Sequence, residues 1–284
     1  MKVEFLGTGG AMSIPRPLCN CQVCKQAREK GVPYSRSGPS LFLHGPNLLF
    51  DTPEDIYFEV NRSQIKEISG VFYSHWHPDH VMGRRVLEAL NADWVNYPPK
   101  NTQSEVFIPE QVALDFKHFL GTGDHLDFLK QNGLIKIKEL NDGQSANINN
   151  FEVKPFRLEE EYMYGFLVEG ANNKILIIMD ELNNWEPSRE LDDLDLAVLP
   201  IGIFEYHPLT GERLISQEHP VLKEEATFLE TIEIIKKLNP KKTLFTHIEE
   251  MNGLGFDELK IVEEKLKAEG LNIEIAYDTL MVEI

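Results

Sequence analysis

Cysteine is scarce in this chain: three residues among 284, all between positions 19 and 24. An odd number so tightly spaced excludes a disulfide framework and points to metal ligation. Long apolar runs are missing as well. The longest, at residues 175–179 and 194–203, fall far short of the roughly 20 residues a bilayer span requires, and Asp195 and Pro200 interrupt the second. No membrane association is expected. The strand-like Val3-Glu4-Phe5-Leu6 follows the first residues too closely for a secretory signal, so a cytoplasmic location is the expectation. Basic residues are outnumbered, with 28 Lys and Arg against 46 Asp and Glu and a formal net charge of −18. A field of that sign repels polyanions, and nucleic acid is not an expected partner.

What is present is an ordinary globular composition, 42% hydrophobic and 26% charged, which excludes disorder. Short strand-type runs recur at residues 3–6, 40–44, 48–50, 71–74, 151–156, 165–168, 175–179, 197–199, 244–246 and 273–277. Helix-length segments with apolar residues three and four apart lie between them, clearest at 223–238 and 256–269 and weaker at 54–62, 81–90 and 110–120. The second half repeats the plan of the first. This suits an α/β protein of αββα type, two sheets packed face to face with helices outside, as one domain over residues 1–284. The least regular stretch, residues 91–143, is expected to form a cap or insertion.

The chemistry concentrates in Tyr73-Ser74-His75-Trp76-His77-Pro78-Asp79-His80. In extended chain, side chains two apart point the same way, so His75 and His77 can reach one metal. The turn into the next helix presents Asp79 and His80 to a second. Trp76, Met12 and Tyr164 are candidates for the pocket wall.

These positions match the HxHxDH motif, and the sequence resembles the metallo-β-lactamase superfamily over nearly its whole length. The resemblance implies two active-site divalent metals (zinc, manganese or iron). It assigns Asp51, after residues 48–50, to orienting the ligands. It makes Asp180, after residues 175–179, the carboxylate that bridges both metals, and His247, after residues 244–246, the last metal histidine. The superfamily normally supplies a further histidine between Asp79 and Asp180. Here the stretch reads Phe156-Arg157-Leu158-Glu159-Glu160-Glu161-Tyr162, and by position Glu159 replaces that histidine. A carboxylate there would favour harder metals. Glu160, Glu161, water, His118 and His125 are the other candidates.

The cysteines form Cys19-Asn20-Cys21-Gln22-Val23-Cys24, shortly after Gly7-Thr8-Gly9-Gly10, a flexible turn that can bring backbone close to a metal centre. Three thiolates so close suit a structural zinc. CxCxxC after GTGGA is similar to two branches of the superfamily, the phosphoribosyl cyclic phosphate phosphodiesterases and the B protein of pyrroloquinoline quinone biosynthesis. The phosphodiesterase branch places its fourth zinc ligand three residues after the last metal histidine, which is Glu250 here. Intact His75 and His77 favour that branch, as does His219 ahead of a long helix. With Asp79, His219 would complete the catalytic residues by assisting the leaving oxygen. The expectation is a metal-dependent hydrolase of a small, cyclic phosphodiester, with a homodimer as the commonest assembly for such enzymes. The alternatives are an oxygen-using metalloenzyme, with Glu159 tuning iron, and a non-catalytic metal-binding protein.

Overall fold

The computed structural model describes residues 1–97, 99–101, 103–249 and 253–284. Six strands from the first half, β1 (Lys2–Gly7), β2 (Ser40–His44), β3 (Leu48–Phe50), β4 (Gly70–Phe72), β5 (Ser104–Pro109) and β6 (Ile135–Leu140), share a sheet with the last strand of the chain. The second sheet holds β7 (Ala146–Ile148), β8 (Phe151–Arg157), β9 (Tyr164–Glu169), β10 (Lys174–Ile177), β11 (Leu196–Pro200), β12 (Thr243–Thr246) and β13 (Ile273–Ile275). The closing strand β14 (Met281–Glu283) pairs with β1, and the orders are β14-β1-β2-β3-β4-β5-β6 and β13-β12-β11-β10-β9-β8-β7. Each sheet is antiparallel at one end and parallel at the other: β3 to β6 run parallel, as do β10 to β13. The shared plan that the sequence shows in its two halves is this division.

Alternation along the strands produces the layers. Phe50, Phe72 and Phe107 of the first sheet meet Phe166, Ile175, Ile177, Val198 and Leu244 of the second in the central core. Their neighbours Val71, Val106 and Ile108 face outward onto α5 (Glu110–Phe116) and α6 (Thr122–Gln131) through Val112, Phe116, Leu126 and Leu129. In the second sheet Leu176, Ala197, Leu199 and Phe245 face outward onto α8 (Phe228–Leu238) and α9 (Phe256–Ala268). Strands buried on both faces read as continuous apolar runs, which is why the sequence marks them clearly. Among the described residues, no helix is long and apolar enough to cross a membrane.

Two expectations change. Residues 91–143 are not a cap: they contribute β5 and β6 to the parallel end of the first sheet, with α5 and α6 on its outer face. Edge strand β6 alternates apolar residues with lysines, and Lys138 pairs with Glu105 at 2.7 Å, so this strand lacks the apolar run of the others. The helix expected over 223–238 is broken into α7 (Val221–Glu224) and α8. Thr227 is the reason: its hydroxyl accepts the Glu230 amide at 3.3 Å, while the Glu230 carboxylate accepts the Thr227 amide at 2.8 Å. This reciprocal cap starts a new helix at Phe228.

Phe72 is the hub of the central core. Its ring stacks on Phe107 at 4.7 Å and Phe50 at 5.5 Å and meets Phe166 of the opposing sheet edge-on at 5.5 Å. Phe72→Ala should cost about 3–5 kcal/mol of stability, read as a lower urea midpoint with an unchanged slope. A loss below about 1 kcal/mol would show that the sheets are not joined through this ring.

Candidate metal centre

The ends of the parallel strands of both sheets converge. After β4 the chain continues through Tyr73 and Ser74 into His75-Trp76-His77, then turns into the short α3 (Pro78–Val81). Asp51 follows β3, the parallel neighbour of β4, and is fully buried. Ser74 donates its amide to Asp51 Oδ1 at 2.8 Å and its hydroxyl to Oδ2 at 2.6 Å, and His80 donates Nδ1–H to the same Oδ2 at 2.7 Å. With its proton directed at Asp51, the Ser74 hydroxyl accepts from His75 Nδ1 at 3.0 Å. One carboxylate thus fixes the tautomers of two imidazoles and turns both Nε2 atoms toward the same space.

The second sheet supplies Asp180, beyond β10, and His247, beyond β12. Asp180 Oδ2 lies 3.3 Å from His75 Nε2, 3.9 Å from His77 Nδ1 and 3.8 Å from His80 Nε2, while its Oδ1 lies 3.3 Å from His247 Nε2. Asp79 Oδ2 stands 3.2 Å from His80 Nε2 and 3.7 Å from His247 Nε2. Two ligand groups result, His75, His77 and Asp180 in one and Asp79, His80 and His247 in the other. Asp180 has an oxygen toward each. Asp51 and His247 both adopt left-handed backbone, φ 61° and 52°. For residues other than glycine this conformation is uncommon, and it concentrates where a side chain must be aimed.

These groups fit a pair of metal ions. The Nε2 atoms of His75, His80 and His247 are buried and have no hydrogen-bond partner, an arrangement that is costly for a neutral site and natural for one that binds cations. The electrostatics agree. Burial, reinforced by His75, pushes His77 down to about 4. Burial also opposes charge on His247, yet Asp180, Asp79 and Glu249 outweigh it and raise the ring to about 9. At His80 burial is likewise outweighed by Asp79 and Asp51, which hold the ring well above the usual histidine range. The carboxylates thus call for positive charge at His80 and His247, which a bound metal would supply in place of a proton.

Three further carboxylates flank Asp180 and His247. Glu181 accepts amides from Leu182 at 2.6 Å, Ala226 at 2.8 Å and Asn183, and burial with Asp180 nearby raises it to about 8. Glu225, in the break between α7 and α8, rises to about 7 for the same reasons. Glu249 accepts the Ala11 amide at 2.7 Å and lies 4.0 Å from His247 Nδ1. The glycine-rich turn after β1 does pass the site: a Cβ on Gly10 would fall 2.1 Å from the Glu249 carboxylate, so a larger residue there would displace that side chain. These three acids carry no motif of their own in the sequence, although Glu181 and Glu249 sit one and two residues beyond ligands.

Glu159 does not join the site. A turn closed by the Met163 amide on Glu160 O and the Leu158 amide on Met163 O leaves Glu159 exposed, in a groove with Lys154, Trp185 and Glu190. The same turn folds Tyr162 inward, its ring 5.3 Å from His77 and 6.1 Å from His75. Burial, with Glu160 and Asp180 nearby, raises the Tyr162 phenol to about 12, so it stays neutral. Among the described residues, Glu160, Glu161, His118 and His125 belong to neither ligand group. His219 is exposed, and its Nδ1 accepts the Val221 amide at 3.2 Å at the start of α7. The break at Thr227 brings Glu225, rather than His219, beside Asp180. Tyr164 is buried, with its hydroxyl on Asp142 at 3.0 Å, and Met12 is exposed. Of the expected wall residues, Trp76 alone has recorded ring contact with the site, 4.7 Å from His77.

The thiolates of Cys19, Cys21 and Cys24 form a third ligand group. Cys21 caps α1 (Gln22–Lys30), its sulfur accepting the Cys24 amide at 3.3 Å, and the Arg16 amide donates to Cys24 Sγ at 3.3 Å. Arg28 holds the loop by donating to Cys19 O at 2.5 Å and Arg16 O at 2.8 Å. Amides and a helix start aimed at sulfur favour thiolate, the form that binds zinc. Glu250, the expected fourth ligand, lies outside the described residues.

The family model for the beta-lactamase superfamily domain matches residues 46–248, well over half of the chain. The chain belongs to the beta-lactamase superfamily. Ribonuclease Z of Archaeoglobus fulgidus is 23% identical over 163 residues, 56% of this chain and 44% of that protein, so the match spans less than half of the relative's length. Among solved structures, a diphosphatase of the PhnP family superposes with a TM-score of 0.72 at 22% identity, covering 100% of this chain and 98% of that one. Zinc-bound PqqB of Methylobacterium extorquens gives 0.71 at 13%, covering 100% of both chains. The short form of human tRNase Z gives 0.61 at 18%, covering 100% and 99%. At these identities the superpositions establish the superfamily's fold.

Asp51→Ala should weaken metal binding at the paired site about 10- to 100-fold, measured by calorimetric zinc titration of metal-stripped protein with circular dichroism as the control for folding. Unchanged affinity would show that Asp51 orients nothing. Cys21→Ser should remove one zinc per chain by elemental analysis and leave the paired site filled; no loss would mean the three sulfurs hold no metal.

Proposed function

We propose that this protein is a metal-dependent phosphodiesterase acting on a small phosphodiester. The observation that carries the proposal is the set of three buried, partnerless imidazole nitrogens ringed by Asp79 and Asp180. His75, His77 and Asp180 would hold one divalent metal, and Asp79, His80, His247 and Asp180 the other. Bound there, two cations supply an acidified water and neutralise phosphate charge.

The chain's own residues account for the rest. Asp51 and Ser74 keep the His75 and His80 rings aimed, so the ligands need no rearrangement when metal arrives. Asp180, with an oxygen toward each ligand group, keeps the two halves of the site in register across the sheets. Glu181, Glu225 and Glu249 line the His247 side, where burial and Asp180 raise their pKa values and so limit the negative charge an anionic substrate meets there. The diphosphatase activity named for the PhnP-family structure supports a phosphorus-oxygen substrate.

Glu159, which would tune iron in the oxygen-using alternative, lines an exposed groove with Lys154, Trp185 and Glu190 and belongs to neither ligand group. The likeness to ribonuclease Z raises RNA as a rival substrate, and the formal charge of −18 opposes it. Zinc- or manganese-loaded protein should hydrolyse bis(p-nitrophenyl) phosphate. Asp180→Asn should lower kcat by at least about 100-fold, while Glu159→Ala leaves it unchanged. Metal-loaded protein that turns over no phosphodiester, or that consumes oxygen instead, would overturn the proposal.

A further inference from the structure

The wall beside His77 is built of aromatic rings. His77 is the most open of the site histidines, its side chain 34% exposed against 0% for His75 and His80 and 8% for His247. Among the site histidines, His77 is thus the one a ligand in solvent can touch most readily. Trp76 stands edge-on to that imidazole at 4.7 Å and Tyr162 lies tilted to it at 5.3 Å. Phe119, from the loop after α5, lies nearly parallel to the Trp76 indole at 4.1 Å and 20°, and remains 40% exposed. Trp76 and Tyr162 meet edge to face at 6.5 Å, which closes the three rings into one rim. Beyond the rim, Glu181, Glu225 and Glu249 flank Asp180 and His247. A substituent on a bound phosphoryl group thus meets flat aromatic surface beside His77.

Resting on the phosphodiesterase reading above, we infer that Trp76, Phe119 and Tyr162 form a subsite for a flat aromatic ring carried by the substrate, an aryl group or a nucleobase. The rings offer what such a group needs. Aromatic faces and edges held by mutual packing provide stacking surface at little further loss of side-chain freedom, and stacking tolerates different rings because each has a π face. The subsite excludes no phosphodiester. It sets which ester is held long enough to react, so it is a determinant of specificity.

Binding of two non-hydrolysable probes, phenylphosphonate and ethylphosphonate, to zinc-loaded protein tests this directly by calorimetry. Phenylphosphonate should bind about tenfold more tightly. Phe119→Ala and Tyr162→Leu should each bring the ratio of the two affinities toward one with zinc content retained, and Phe119→Tyr should restore it. Equal affinities in the unaltered protein, or a ratio that survives both variants, would overturn the subsite and leave Phe119 as mere packing on Trp76. Turnover separates this from the wider reading. Thymidine 5′-(p-nitrophenyl phosphate) should exceed ethyl p-nitrophenyl phosphate in kcat/KM, since both release the same phenolate. If neither ester is hydrolysed, the phosphodiesterase reading fails while the phosphonate ratio still decides the rim. If both are hydrolysed at equal kcat/KM, the subsite fails and the hydrolase stands.

Discussion

The buried carboxylate of Asp51 is the constraint on which the site depends. It sits at the end of β3, bonded to Ser74 twice and to His80, and through the Ser74 hydroxyl it reaches His75. A carboxylate removed from water is costly unless its lone pairs are filled, and these donors fill them. The arrangement requires β3 and β4 to lie side by side in parallel, which places Asp51 against the start of the histidine turn. It also requires the left-handed backbone at Asp51, since an extended residue would continue the strand and not turn back to the neighbouring one.

The two sheets contribute unequally. The first provides most of the imidazoles and their support; the second provides Asp180, which has an oxygen toward each ligand group, the last histidine and the flanking glutamates. Neither half is complete alone, so the central core that holds the sheets together also sets the site's dimensions. The chain after β1 stitches the halves near the site, with Thr8 O accepting the Ile248 amide at 2.9 Å and Glu249 closing over Gly10. Asp79, Asp180 and Asp51 call for positive charge at His80 and His247, which is the electrostatic demand a pair of cations would meet.

The legible parts of the sequence were those with local causes. Doubly buried strands announced themselves as apolar runs, and the histidine motif occupies one strand, turn and helix start, so its spacing carries its geometry. Asp180 and His247 needed the family resemblance, because their pairing depends on two sheets meeting. Glu159 was misplaced for the same reason: which residue of a turn faces inward is decided by the hairpin that closes it, and there Tyr162 turns in. Residues 91–143 read as an insertion because β6 alternates lysine with apolar residues, as suits an edge strand, and so lacks the apolar run of the other parallel strands. The break before α8 was readable, since Thr227 and Glu230 carry the capping pattern in plain sequence. The aromatic rim had no local signal beyond Trp76, as Phe119 and Tyr162 reach it from distant loops.

The central claim is that two metals lie on either side of Asp180. Anomalous diffraction from crystals of the manganese- or zinc-loaded protein tests it most directly. Two strong peaks are expected about 3.5–4 Å apart, one beside His75 and His77, the other beside Asp79, His80 and His247, with an Asp180 oxygen on each. A single peak, or a pair whose coordination omits Asp180, would contradict it.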